Sequence, residues 1–420
     1  MIKTIKLSKK LIGIITFSCL LALTFTVYSF QKEIYSFFNP GESKFNSHVH
    51  SLVVNDFDKS YEHIAVLDEG EKSNIEIIAI KGSKYKDKTP SPLQINKFKI
   101  DLINKKINEN KIITINKDLQ ATDILITEDE RIFFSYLTHE SARKYISLGV
   151  DELIQEEGTY FTKSVYESEL IPSKRLLHTL SGGKMIQYNK NEMLLTFGSL
   201  GHEKSIKDNK SYVVGKILKI NFNTQKSEIF SSGHRNPQGL TYSKLYKMII
   251  ETEHGPNGGD EINQIIHGKD YGWPHVSYGM GHPKNFKNYV RYVSDNSFKS
   301  IWATLMRKMK EEKYEEVNVY PGNHHDFKKP IFAFIPSIGI KAIEQLPENQ
   351  TEFPNWKNNF LVCSAKSLYR LEIAKEKSPR VIFTEKLPLP FGCRDIQILS
   401  DGKFIVNNIK IISRNKEFTD

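Results

Sequence analysis

Residues 233–279 read GHRNPQGLTYSKLYKMIIETEHGPNGGDEINQIIHGKDYGWPHVSYG, a string of tight turns and short β-type runs that points to an all-β chain. Turn signals recur at Asn236-Pro237, Gly255-Pro256, Asn257-Gly258-Gly259 and Trp273-Pro274. They bracket short β-type runs, of which residues 247–251 (KMIIE) are the clearest. Polar side chains crowd the turns instead of alternating along the strands, as they do when a site is mounted on a rigid all-β scaffold. One such turn alone is an ordinary Asp/Gly turn; the whole string is not.

Outward from that stretch, residues 49–420 hold short β-type runs with turn residues between them, such as 61–67, 75–80, 131–136, 193–197, 213–220 and 368–373. Partial runs raise the total to about two dozen, enough for six blades of four strands or for a pair of sandwiches. Residues 298–316 (FKSIWATLMRKMKEEKYEE) break the pattern with near-helical apolar spacing and read as an amphipathic helical insertion. Residues 31–48 read as a linker. At the N-terminus Lys3, Lys6, Lys9 and Lys10 precede a charge-free apolar run at 11–30. That is the form of a signal peptide or a signal anchor, and both stay open; either predicts a periplasmic or otherwise extracytoplasmic protein.

Composition is globular, 39% hydrophobic and 26% charged, in a chain long enough for a large core. The net charge of +10 is spread out. The small run at 81–88 reads as a solvated loop, so no nucleic-acid partner is expected. Of three cysteines, Cys19 lies in the apolar run, leaving Cys363 and Cys393. These fit no zinc pattern, and their pairing stays open.

The 233–279 string resembles the signature of the soluble PQQ-dependent sugar dehydrogenases, the glucose/sorbosone and aldose sugar dehydrogenase family. There pyrroloquinoline quinone (PQQ) sits on a six-bladed β-propeller, so the resemblance implies an all-β, six-bladed propeller here. A guanidinium and an amide side by side suit a planar polyanion, and by resemblance Arg235 and Asn236 contact PQQ. The resemblance also implies calcium: one ion on the carbonyls of Gly255 and Pro256, a second on the Glu261 carboxylate and the Tyr271 carbonyl. Such oxygen ligands suit Ca2+, although the stretch is no EF-hand loop.

The general base comes from further upstream. His178 precedes Gly182-Gly183-Lys184, where the family pattern has a His before Gly-Gly-Arg; imidazole suits removal of a hydroxyl proton near neutrality. Residues 353–371 (FPNWKNNFLVCSAKSLYRL) resemble the family's FPxWxGxLFVGSLKxxxLYRL and make Lys366 a PQQ contact. Gly392-Cys393-Arg394-Asp395 aligns with a segment whose two arginines hold the cofactor, so Arg394 is the second contact.

The departures are Gly392 in place of the first of those arginines, Lys184 for Arg, a longer His178 loop, no glycines in residues 119–125, and Ser337-Ile338-Gly339-Ile340 where the family has SIAPSG. The implied activity is oxidation of the C1 hydroxyl of an aldose, with hydride passing to PQQ and electrons to an external acceptor. The alternative is a calcium-stabilised propeller that has lost PQQ and binds a glycan or protein. Membrane contact is expected only through the N-terminal segment.

Overall fold

The structure is a computed structural model that describes residues 52–57, 59–70, 74–82, 92–140, 145–172, 181–202, 206, 213–256, 258–279, 320–321, 324–374 and 379–414. Its sheets form the blades of a six-bladed β-propeller. From the axis outward, the first blade is built from His63–Glu69, Asn74–Lys81, Leu93–Asp101 and Lys106–Ile115, and the second from Leu119–Ile126, Ile132–Glu140, Tyr145–Glu156 and Thr159–Glu167. The third uses Gly182–Asn189, Glu192–Phe197, Lys216–Asn221 and Ser227–Ser232; the fourth Pro237–Ser243, Met248–Glu253, Asp260–Ile265 and Phe332–Phe334. The fifth comprises Ile343–Gln345, Phe360–Cys363, Ser367–Ala374 and Arg380–Pro388. The sixth takes Ile396–Ile398, Phe404–Val406 and Lys410–Arg414 from the C-terminal end and its outermost strand, Leu52–Asp56, from the N-terminal end. The innermost strands touch in a closed ring, the sixth returning to the first.

The sequence builds this ring because strands near the axis bury both faces. Side chains alternate across a strand, so a strand between two blades needs apolar residues at consecutive positions. In Asn74–Lys81, Ile77 and Ala79 pack toward the sixth blade, Ile78 and Ile80 toward the second. In Phe360–Cys363, Phe360 and Val362 face the fourth blade, Leu361 and Cys363 the sixth. The same division recurs around the ring, so that each junction between neighbouring blades holds its own hydrophobic cluster. The outermost strand Lys106–Ile115 (KINENKIITI) is half exposed and mostly polar, which guards an open sheet edge.

Residues 266–331 connect the third and fourth strands of the fourth blade. The expected helix at 298–316 falls in this connection and outside the described residues, as do 1–30 and 31–48. Among the described residues no helix is long and apolar enough to cross a membrane. Cys363 and Cys393, both fully buried, are joined in a disulfide that links the fifth blade to the entry of the sixth.

Candidate functional site

Chain direction puts the site at one end of the ring. Arg235 and Asn236 directly precede the inner strand of the fourth blade, and Arg394 precedes that of the sixth. The turn between second and third strands of a blade lies at the same end, which brings Gly255, Pro256 and Lys366 there. His178 lies outside the described residues, four positions before the inner strand of the third blade begins.

One cavity is lined by Arg235, Gly255, Glu261 and Tyr271 together with Glu253 and Trp273. It leaves ≈ 10 Å³, about the room one water-sized sphere takes. Arg235 is fixed on three sides. Its backbone N–H donates to Glu253 Oε1, its Nη1 donates to the carbonyls of His254 (2.9 Å) and Gly255 (3.2 Å), and its Cζ lies 5.4 Å from the Trp273 ring centroid. The Gly255 carbonyl expected to face a calcium ion therefore faces a cation, the guanidinium. Asn236 is buried, and its Oδ1 accepts from Gln238 Nε2 at 2.9 Å. At Gly255 a Cβ would lie 2.1 Å from the Gly259 carbonyl oxygen and 2.7 Å from that of Gly258, so only glycine lets these carbonyls crowd together.

Beneath the cavity the strands Met248–Glu253 and Asp260–Ile265 pair Glu253 with Glu261 and Glu251 with Asn263. All four side chains are buried. Like charges directly opposite in a sheet repel, and burial adds to the cost of the charged forms. Accordingly Glu261 is pushed up to about 8 by burial first and then by Glu253, and Glu251 is raised well above the usual carboxylate range for the same two reasons. His234 Nδ1 meets Glu253 Oε2 at 3.1 Å, and the ligand atoms of His234, Glu251 and Glu253 lie within 4.8 Å of one another. Glu251 Oε1 and Asn263 Oδ1 have no hydrogen-bond partner. Tyr271 stacks on His234 (centroids 4.7 Å apart) and its hydroxyl donates to the Gln264 carbonyl at 2.5 Å.

The propeller axis carries a second polar cluster, which pattern reading does not reveal. Lys184 Nζ, from the inner strand of the third blade, lies 2.8 Å from Asp123 Oδ1 of the second and 2.8 Å from Asp395 Oδ1 at the entry of the sixth. Asp123 Oδ2 accepts the Met185 N–H, Asp395 Oδ2 accepts the Ile64 N–H, and His63 of the first blade sits 3.8 Å from Asp395. Thr241 of the fourth blade donates to Glu344 of the fifth at 2.9 Å. Every inner strand or its entry thus contributes to this hub. Asp123 is pushed up to about 6 by burial, against the pull of Lys184, and Glu344 to about 8, again chiefly by burial. Lys184, singled out in the sequence only as a departure from Arg, is the central counter-ion here.

Lys366 and Arg394 sit on adjoining loops. Cys393 N–H donates to the Ser364 carbonyl at 3.1 Å, and the disulfide closes the same gap. Gly392 abuts the turn that carries Lys366: a Cβ there would lie 2.5 Å from the Ala365 carbonyl oxygen. The structure therefore brings Arg235, Gly255, Glu261 and Tyr271 around one cavity and places Lys366 and Arg394 on neighbouring loops at the same end. Glu251 and Glu253 escaped the sequence reading, although their i, i+2 spacing in a β run was legible as one acidic face.

Residues 121–295 match the family described as Glucose / Sorbosone dehydrogenase. Quinoprotein glucose dehydrogenase B of Acinetobacter calcoaceticus is 43% identical over 82 residues, covering 17% of this chain and 17% of that protein. The chain's matched stretch thus spans under a fifth of that relative's length. Among solved structures, a glucose dehydrogenase superposes with a TM-score of 0.60 at 18% identity, covering 88% of this chain and 100% of that one. The PQQ-bound aldose sugar dehydrogenase of Streptomyces coelicolor gives 0.53 at 13% identity, covering 88% and 99%. At these identities the superpositions speak for the fold.

Proposed function

From its kinship with the glucose/sorbosone dehydrogenases, carried by residues 121–295 on a closed six-bladed propeller, we propose that the protein is a PQQ-dependent dehydrogenase oxidising the C1 hydroxyl of aldoses. The observation that carries this is the gathering at one end of the ring of Arg235, Gly255, Glu261 and Tyr271 around one small cavity, with Lys366 and Arg394 on neighbouring loops. It combines a fixed guanidinium, crowded carbonyls and buried acids at the mouth of the ring.

The residues present fit both implied groups. The buried glutamates Glu251, Glu253 and Glu261, with Glu251 Oε1 and Asn263 Oδ1 left without a partner, offer the oxygen-rich set that Ca2+ takes. Glu261 and the Tyr271 carbonyl would hold one ion; a second, on the Gly255 and Pro256 carbonyls, would have to displace Arg235 Nη1, which donates to the Gly255 carbonyl at 3.2 Å. Arg235, Asn236, Lys366 and Arg394 would hold PQQ through its carboxylates. When bound, PQQ supplies the acceptor for the hydride leaving C1. His178 takes the hydroxyl proton on its imidazole, and the aldose leaves as the lactone. Arg235, anchored on two carbonyls and Trp273, presents fixed positive charge that needs no reorganisation. Electrons pass on to a separate acceptor.

Extracytoplasmic placement follows from the basic, then apolar N-terminus and agrees with a buried disulfide; a C-terminal reporter active only in the cytoplasm would contradict it. The chemistry is tested by dye reduction with a panel of aldoses after loading with PQQ and calcium. His178→Gln is expected to cut turnover ~100-fold or more. Full activity in that variant removes His178 from the reaction. The second reading, a calcium propeller without PQQ, is favoured by one observation, the loss of an arginine at Gly392.

A further inference from the structure

Gly392 leaves the anion-binding mouth one cation short of the family pattern, and the space a side chain would need is filled by the Ala365 carbonyl. A different cation stands nearby. Where the family has SIAPSG, this chain runs Ser337-Ile338-Gly339-Ile340-Lys341-Ala342, so Lys341 falls on a position the pattern gives to serine. The loop is pinned from both sides. Its Ile338 and Ile340 N–H groups donate to Asp260 Oδ2, Lys341 N–H donates to the Cys363 carbonyl (2.8 Å), and the Lys341 carbonyl accepts from Thr252 Oγ1 (2.5 Å). Ala365 N–H, beside Lys366, donates to the Ile338 carbonyl at 3.3 Å.

Lys341 thus directly precedes the inner-strand region of the fifth blade, between the loops carrying Arg235 and Arg394. The groups that bear on its ammonium are Arg394 from the sixth blade, Glu62 from the first and His254 from the fourth. It is half-buried and pushed down to about 8, by burial first and then by Arg394, with Glu62 acting the other way. An ammonium so placed gains from an anion that comes to it.

We propose that Lys341 is a ligand-binding residue of this mouth: it replaces the arginine missing at Gly392 and, with Arg235 and Arg394, holds the carboxylates of a planar polyanion. The identity of that polyanion as PQQ rests on the function proposed above. The test is calorimetric titration of the calcium-loaded full chain with PQQ and, separately, with benzene-1,3,5-tricarboxylate, a planar polyanion without a quinone.

Lys341→Met is expected to weaken both about 10- to 100-fold, the worth of one charge-assisted hydrogen bond, and Lys341→Arg to retain them. Wild-type affinity is expected to fall as pH rises above about 8, because binding must then take up a proton; Lys341→Met should lack that limb. Equal affinities for wild type and Lys341→Met across this range overturn the role of Lys341 and leave the PQQ assignment standing. Binding of the tricarboxylate but not PQQ, lost in Lys341→Met, keeps Lys341 and removes PQQ. Binding of neither by wild type overturns both.

Discussion

Replacing Lys184 by Met removes the ammonium that stands 2.8 Å from both Asp123 and Asp395 while keeping a chain of similar length. The three side chains are nearly enclosed, with 10%, 9% and 4% of their surface exposed, so solvent screens them little. At an effective dielectric near 20, one pair about 4 Å apart is worth roughly 4 kcal/mol. Breaking a buried pair by removing one partner costs about 3–5 kcal/mol, a large share of a domain's total stability. The variant should therefore lose ~3–5 kcal/mol at pH 8.

The loss should shrink on acidification. Asp123 already titrates at about 6 with Lys184 present, because burial outweighs its counter-ion; without the lysine it rises further. A carboxyl whose folded pKa lies above its unfolded value binds more protons when folded. Its cost is then full above the folded pKa and fades as pH falls toward the unfolded one. Urea unfolding of both proteins at pH 8 and at pH 5 reads the difference. A loss under ~1 kcal/mol at pH 8, or one that grows toward pH 5, would refute the hub as an ionic clamp.

Gly392→Arg, which the family pattern would suggest as a repair, should instead destabilise by ~1–3 kcal/mol through crowding against Ala365 and should not tighten PQQ; thermal melts with and without the quinone check this. Chelation should lower the melting temperature, and Glu261→Gln should start lower and respond less. Because Glu261 is raised to about 8, it destabilises the metal-free fold increasingly as pH rises from the ordinary carboxylate range toward 8. The stabilisation gained from added calcium should therefore grow over the same interval, and a flat dependence counts against the ion.

The ring was legible where strands bury both faces or sit between strong turns. IIAI at 77–80 and FLVC at 360–363 are continuous apolar runs because each strand serves two junctions. The hairpin Tyr145–Glu156 and Thr159–Glu167 was not, since its outer strand is mostly polar and partly exposed, and its alternation of burial is broken at Lys163-Ser164. The candidate residues from Arg235 through Tyr271 could be grouped from the sequence because one blade corner supplies them all, and Arg235, Gly255, Glu261 and Tyr271 do line one cavity. The hub was not readable: His63, Asp123, Lys184, Glu344 and Asp395 come from five separate strand regions, and only ring closure brings them together. The pairing of Cys363 with Cys393 likewise depended on the end of the strand Phe360–Cys363 meeting the loop that enters the sixth blade.

The most direct test of the account is an equilibrium titration of the apo-protein with PQQ in the presence of calcium, followed by the absorbance of the bound quinone. Wild type is expected to bind one equivalent at micromolar or tighter affinity, and Arg235→Ala to bind about 10-fold or more weakly through the loss of a charge-assisted contact. A wild-type protein that takes up no quinone at micromolar concentrations contradicts the dehydrogenase assignment and leaves a calcium-stabilised propeller in its place.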